Sequence, residues 1–259
     1  MLTTPMAIKD IQSVKQDYFS LVFVKITGLP LFILGPDFFP GFTGTLRVFE
    51  PRYKQMMDDC IMDSKPFGYI SADQNKGELN GWSQPSDHGV LCYVRDYEES
   101  GSNLIIEVEA TSAFAVKEVI QPVLPSLVDG ERFPGVEELM EKAGNPDGGK
   151  LYLRANVETL RYPEFDYDDE GFSSFVDLLV PARQLLQMSS IYKGQILEFK
   201  DKGDYTDDLD KTNLIWKVCC ALCYDPYLQQ DLLAQTSFSS LMDICTNRVT
   251  EILLRIEEE

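Results

Sequence analysis

The stretch at residues 39–60, FPGFTGTLRVFEPRYKQMMDDC, constrains the chain more than any other, because it sets a turn, a strand and a helix end to end. Phe39-Pro40-Gly41 is a turn, Leu46-Arg47-Val48-Phe49 reads as a strand, and Glu50-Pro51 opens a helix. Pro51 suits the first helical position, where its missing N–H removes nothing. Tyr53, Met56, Met57, Cys60 and Ile61 then fall at i, i+3, i+4, i+7 and i+8, an apolar stripe facing a core. Phe49 and Tyr53 are expected to anchor this helix on the sheet. Glu50 is expected to accept N–H groups of the first turn, and Arg52 to brace a neighbouring carboxylate or carbonyl. Phe38, Phe39 and Phe42 place three aromatic rings within five residues, beside Pro40 and Gly41. Rings so crowded in one turn are hard to bury together, so they are expected to line an exposed apolar surface suited to unfolded or peptide-like partners.

The first 160 residues read mainly as strands. Runs at Leu21–Ile26, Leu29–Leu34, Phe67–Ser71, Gly89–Tyr97, Leu104–Ala110, Phe114–Ile120 and Leu151–Leu160 are β-branched, aromatic or alternating. Several are apolar throughout, as in strands covered on both faces. Many short strands with one early helix predict a small closed or nearly closed barrel. From about residue 172 the pattern becomes helical. Phe175, Leu178, Leu179, Ala182, Leu185, Leu186 and Ser189 keep helical spacing, with Pro181 forcing a kink or restart. Leu209–Cys223 forms a second periodic segment. Ser237 caps a last helix whose stripe is Phe238, Leu241, Met242, Cys245, Val249, Ile252, Leu253 and Ile256. The fold class is therefore α+β, a mostly antiparallel barrel followed by a helical bundle. The acidic, turn-rich join at Tyr162–Gly171 separates a domain at 20–161 from one at 172–259.

Charge excludes one class of partner. With 23 Lys and Arg against 42 Asp and Glu the net charge is −19, and no basic stripe offsets it, so nucleic acid is not an expected partner. No run of 18 apolar residues occurs, so no membrane partner is expected. Six scattered cysteines inside apolar segments read as reduced core thiols, which points to the cytoplasm, or to an organelle interior if a transit peptide was removed.

The motifs that imitate chemistry do not hold together. Residues 144–151, GNPDGGKL, match Gly-x-x-x-x-Gly-Lys, but a helix precedes them and a strand follows, the reverse of a phosphate-binding loop. Residues 166–177, DYDDEGFSSFVD, resemble a calcium loop whose twelfth position is Asp177 and whose eighth is Ser173, both unsuited. Cys220-Ala-Leu-Cys223 lacks the further ligands a zinc site needs, and His88 is the chain's one histidine, in a Pro-Ser-Asp-His-Gly turn. No Gly-x-Ser-x-Gly elbow occurs. Neither catalytic residues, a metal nor a cofactor is expected.

Pro30 and Phe32 in Leu29-Pro30-Leu31-Phe32, then Phe39-Pro40-Gly41, then Phe49-Glu50-Pro51-Arg52-Tyr53, Met56-Met57 and Phe67-Gly68 together resemble the N-terminal substrate-binding domain of Lon proteases. The Phe49 to Tyr53 run is the specific part. The resemblance covers residues 29–160 and continues more weakly through Gly89–Cys92. The chain departs from the family at Ala110–Phe114, which keeps only the Phe of a Gly-x-x-Arg-Phe turn, and in an acidic insertion at 121–149. What the resemblance implies is a PUA-like barrel with a helical extension and no ATPase or protease module. No valid Walker motif is present, and roughly one hundred residues after the barrel are too few for both modules. The implied role is non-catalytic recognition of polypeptide segments or of a specific protein partner, as an adaptor in protein quality control. Small-molecule or RNA binding by the barrel are alternatives, and a peptidase follows from the family label alone. The oligomeric state is open.

Overall fold

The computed structural model describes residues 24–125, 136–144 and 149–258. Residues 21–23 of the first expected strand, and residues 126–135 and 145–148 of the expected insertion, lie outside the described residues. So does the side chain of Ile256 in the last expected stripe. Among the described residues, eight strands come before the later helices, interleaved with two helices: β1 Lys25–Leu34, β2 Thr43–Val48, α1 Pro51–Asp63, β3 Phe67–Ala72, β4 Glu78–Leu79, β5 Trp82–Ser83, β6 Pro85–Ser100, β7 Asn103–Ile120, α2 Val136–Lys142 and β8 Arg154–Thr159. Five helices follow: α3 Asp169–Leu179, α4 Arg183–Tyr192, α5 Asp208–Leu222, α6 Pro226–Leu233 and α7 Phe238–Glu258.

The main sheet has the order β2-β7-β6-β3-β1-β8, and β8 also pairs with β7. Pairing therefore runs in a closed circuit from β7 through β6, β3, β1 and β8 back to β7, with β2 added outside it. All pairs are antiparallel except β1 with β3. Alternation along the strands divides the apolar residues between two clusters. Leu29, Leu31, Ile70, Leu91 and Phe114 join the smaller one, whereas Phe32, Phe67, Tyr69, Val90 and Cys92 join the larger. Both faces of β3 are thus covered, as its unbroken apolar run predicts.

The larger cluster does not stop at the sheet. It continues through Phe172, Leu179 and Leu186 into Ile215, Val218, Cys219, Leu232, Phe238 and Cys245. The join is not a loose tether either. Tyr162, Phe165 and Tyr167 surround Phe238 with ring centroids 5.2–6.2 Å away. Pro181 restarts the helix as expected, within a short 3-10 turn at Val180–Ala182 between α3 and α4.

Three strand expectations are corrected. Leu29–Leu34 is no separate strand: β1 runs from Lys25 through a bulge between Ile26 and Leu29. Leu104–Ala110 and Phe114–Ile120 form one strand, β7, and bulges in its pairing with β6 and β8 interrupt the alternation that would have joined them. His88 lies inside β6 rather than in a turn. The β4–β5 hairpin had a signal in Asn80-Gly81, both at positive φ (53° and 74°), the residues favoured in a two-residue hairpin turn.

At the strand-to-helix corner Tyr53, Met56, Met57 and Cys60 are buried, as their spacing predicts. Phe49 is not the anchor: it is 51% exposed, because Val48, at 1%, holds the inward position at the end of β2. Glu50 does not cap α1 with its side chain. Its carbonyl oxygen accepts from Tyr53 and Lys54 N–H, while its carboxylate accepts from Arg52 Nε at 2.7 Å. The Arg52 guanidinium lies 4.4 Å from the ring centres of both Tyr53 and Trp82. The corner therefore ties the β4–β5 hairpin to α1 by a cation held between two rings.

Candidate functional site

The turn between β1 and β2 is where the site was expected, and its exposure is corrected. Phe38, Phe39 and Phe42 are 3%, 1% and 7% exposed. The turn buries three rings by sending them in different directions. Phe38 and Phe42 meet at 3.9 Å between centroids, and Phe38 stacks on Tyr69 of β3 at 4.0 Å. Phe39 turns the other way, to Trp216 of α5 at 6.1 Å. Gly41, at φ 82°, allows the reversal, and its N–H donates to Ala110 O while Ala110 N–H donates to Phe42 O. From above, Gln229 of α6 donates to Phe38 O at 3.1 Å. Helices some 180 residues further along the chain roof the turn, and nothing local announces them.

Two clefts border this turn. One, of about 370 Å³, lies between Phe39–Thr43, the Gly194–Ile196 loop and the α5 face carrying Asn213, Trp216 and Lys217. The other, of about 690 Å³, is lined by Phe38, Phe42, Leu46, Tyr69, Val108 and Tyr192, among others, along β2. The segment Tyr192–Gly194 borders the larger cleft and Gly194–Ile196 the smaller, so the end of α4 separates them. Several exposed apolar side chains belong to this segment and the helix before it. Met188, Ile191, Tyr192 and Ile196 are 66%, 68%, 92% and 69% exposed. Tyr224, also exposed, joins them from the end of α5, its hydroxyl donating to Ser189 Oγ at 2.9 Å. The surface anticipated at the Phe turn thus stands on α4, next to it. Its signal was legible: Ile191 and Tyr192 fall off the Leu186 stripe just before Lys193-Gly194, where a helix ends.

Lys193 fixes this rim. Its side chain is only 6% exposed, and its ammonium donates to Cys220 O at 2.9 Å and to Cys223 O, with Asp37 Oδ1 3.9 Å away. A cation on the last carbonyls of α5 complements the negative end of the helix dipole. Gln195 then donates to Thr43 O at 2.8 Å, linking the loop after α4 to β2.

The motif look-alikes find structural uses. Lys150 donates to Asp59 Oδ2 at 2.8 Å, which also accepts from Tyr152 OH at 2.6 Å. Asn145–Gly148 of that motif lie outside the described residues. In the acidic loop Asp168 caps α3 through Gly171 N–H, and Asp166 accepts from Ser239 N–H at the start of α7, beside Ser237, whose Oγ accepts from Ser240 N–H. All six cysteines are free and buried. Burial raises the thiols of Cys60, Cys92, Cys219, Cys220 and Cys223, Cys220 to about 11 with Lys193 opposing, and Cys60 and Cys223 to about 12. Thiols so protonated are poor nucleophiles and poor ligands. Among the described residues no group of three or more His, Cys, Asp or Glu is placed to hold a metal, and no helix is long and apolar enough to cross a membrane.

The family model described as ATP-dependent protease La (LON) substrate-binding domain matches residues 28–251. None of the curated proteins matches the chain. Among solved structures, the N-terminal domain of Mycobacterium avium complex Lon protease is 12% identical, over 86% of this chain and 98% of its own, with a TM-score of 0.51. A Lon N-terminal domain protein from Xanthomonas campestris is 18% identical, over 88% of this chain and 98% of its own, with a TM-score of 0.48. At 12% identity the first likeness is one of fold.

Proposed function

This chain belongs to the family of Lon substrate-binding domains, and from that premise we propose that it recognises polypeptide segments at the two clefts and the apolar rim between them. One observation carries the proposal: Tyr192, which lines the larger cleft, Ile196, which lines the smaller, and Ile191 beside Tyr192 in the chain are each at least two-thirds exposed, and both clefts have buried aromatic rings among their lining residues. An apolar rim beside two clefts gives an unfolded segment an anchor and a place for its side chains. Phe38, Phe39 and Phe42 act in this reading as the floor rather than as the contact surface. The family model describes a substrate-binding rather than a catalytic domain, which supports a non-catalytic role, that of an adaptor in protein quality control.

The same proposal includes the architecture. The closed pairing circuit supports a PUA-like barrel at 20–161, and the five later helices a bundle at 172–259; the first supplies the floor and the second the rim. A net charge of −19 disfavours RNA, and six free buried cysteines fit a reducing compartment such as the cytoplasm.

Fluorescence anisotropy with a labelled, permanently unfolded polypeptide at physiological salt tests this reading. Saturable binding is expected, weakened about tenfold in a Tyr192→Ser, Ile191→Ser double variant, since two anchors of this kind contribute more than 1.4 kcal/mol together. Both side chains are exposed, so the thermal midpoint should hardly move. Binding unaffected by the double variant would remove the rim from the proposal, and no binding at tens of micromolar would sink it.

A further inference from the structure

The smaller cleft has a polarity that an apolar rim does not explain. Asn213, Trp216 and Lys217 lie at i, i+3 and i+4, so a single face of α5 forms one wall. In a chain of net charge −19, Lys217 is the only charged residue among the described residues lining this cleft. It is half-buried, and it takes part in none of the ion pairs among the described residues. Trp216 is 5% exposed, and its indole Nε1 is buried without an acceptor among the described residues. Away from that face the exposed Ile196 side chain also lines the cleft. The cleft thus offers a cation and the exposed Asn213 amide on one side and the apolar Ile196 side chain on the other, with no carboxylate among its described lining residues.

We infer that this cleft takes a carboxylate joined to an apolar group, and that its source is the free C-terminal end of a polypeptide. The terminal carboxylate sits against the Lys217 ammonium, with the Asn213 amide as a further donor, and the last side chain lies toward Ile196. A volume of about 370 Å³ holds one or two terminal residues and no folded element. The inference rests on the polypeptide-binding reading and sharpens it, from any unfolded segment to a chain end.

The test is a titration of the full chain with a fluorescent decapeptide ending in two leucines, as the free acid and as the C-terminal amide, alongside the unfolded polypeptide. The free acid is expected to bind about tenfold more tightly than the amide, the size of one charge-assisted hydrogen bond. Lys217→Met should erase that difference while leaving the amide's affinity in place. Asn213→Ala removes the neutral donor and should narrow the gap. Equal affinity of acid and amide, with both bound, overturns the inference and leaves the broader reading standing. Failure of both peptides and the unfolded polypeptide to bind defeats the broader reading as well. N-acetyl-leucine displacing the peptide at an equal concentration would assign the cleft to small carboxylates and overturn the chain-end source.

Discussion

A Cβ placed on Gly89 would stand 2.6 Å from the Phe114 ring and 2.7 Å from the carbonyl oxygen of Tyr69. The ring could tilt aside, but the carbonyl belongs to the paired backbone of β3 and cannot. Gly89→Ala is therefore expected to destabilise the fold by about 1–3 kcal/mol, read as a lower urea midpoint at unchanged slope. Gly44 is the contrasting case. The three atoms nearest its added Cβ all belong to the Phe42 ring, the closest at 2.3 Å, so Gly44→Ala should displace that ring and disturb peptide binding at the larger cleft. Residue-level expectations succeeded where periodicity governs, as for Tyr53, Met56, Met57 and Cys60. They failed for Phe38, Phe39 and Phe42, whose partners Tyr69, Trp216 and Gln229 are distant in sequence.

Among the elements, α6 shows how a short helix is held by side-chain amides. Gln229, fully buried, donates to Phe38 O and accepts from Ser71 Oγ at 2.5 Å. Gln230 pairs with both backbone groups of His88, accepting from its N–H at 2.7 Å and donating to its carbonyl at 2.9 Å. Gln229→Leu keeps the volume and strands two buried groups, a loss of about 3 kcal/mol; chemical denaturation measures it, and amide exchange in α6 should accelerate. Protonation acts at the same junction. Burial lowers the His88 imidazole below its ordinary 6.5, with Asp87 pulling the other way. The unfolded chain then takes up the proton first as pH falls. Stability is expected to be undiminished above 6.5, to decline as pH drops through 6.5 toward the lower folded value, and to lose nothing more from this group beneath it. Thermal midpoints across pH 7.5 to 5.5 should fall less for His88→Asn than for the parent chain. The helix itself was legible in principle, since Asp225-Pro226 is a cap followed by proline and Asp225 accepts from Leu228 N–H at 2.9 Å. Two turns give too little periodicity to stand out.

For the whole molecule, the charge of −19 means that compaction works against self-repulsion. Raising sodium chloride from low to physiological concentration should raise the thermal midpoint, and a flat response would show the charges already neutralised locally. Sheet and helical parts could be told apart in the sequence by the change from alternating to helical periodicity. The way they close on each other could not, because the larger cluster draws on both halves at once, joining Phe39 to Trp216 and Tyr69 to Phe38 beneath α6. That shared interior has a consequence for anyone recombining relatives. A chimera that takes its helices from one parent and its strands from another would set a foreign α5 and α6 against the 38–42 turn. The turn must travel with the helices it packs against, or the hybrid will trade a filled interior for voids.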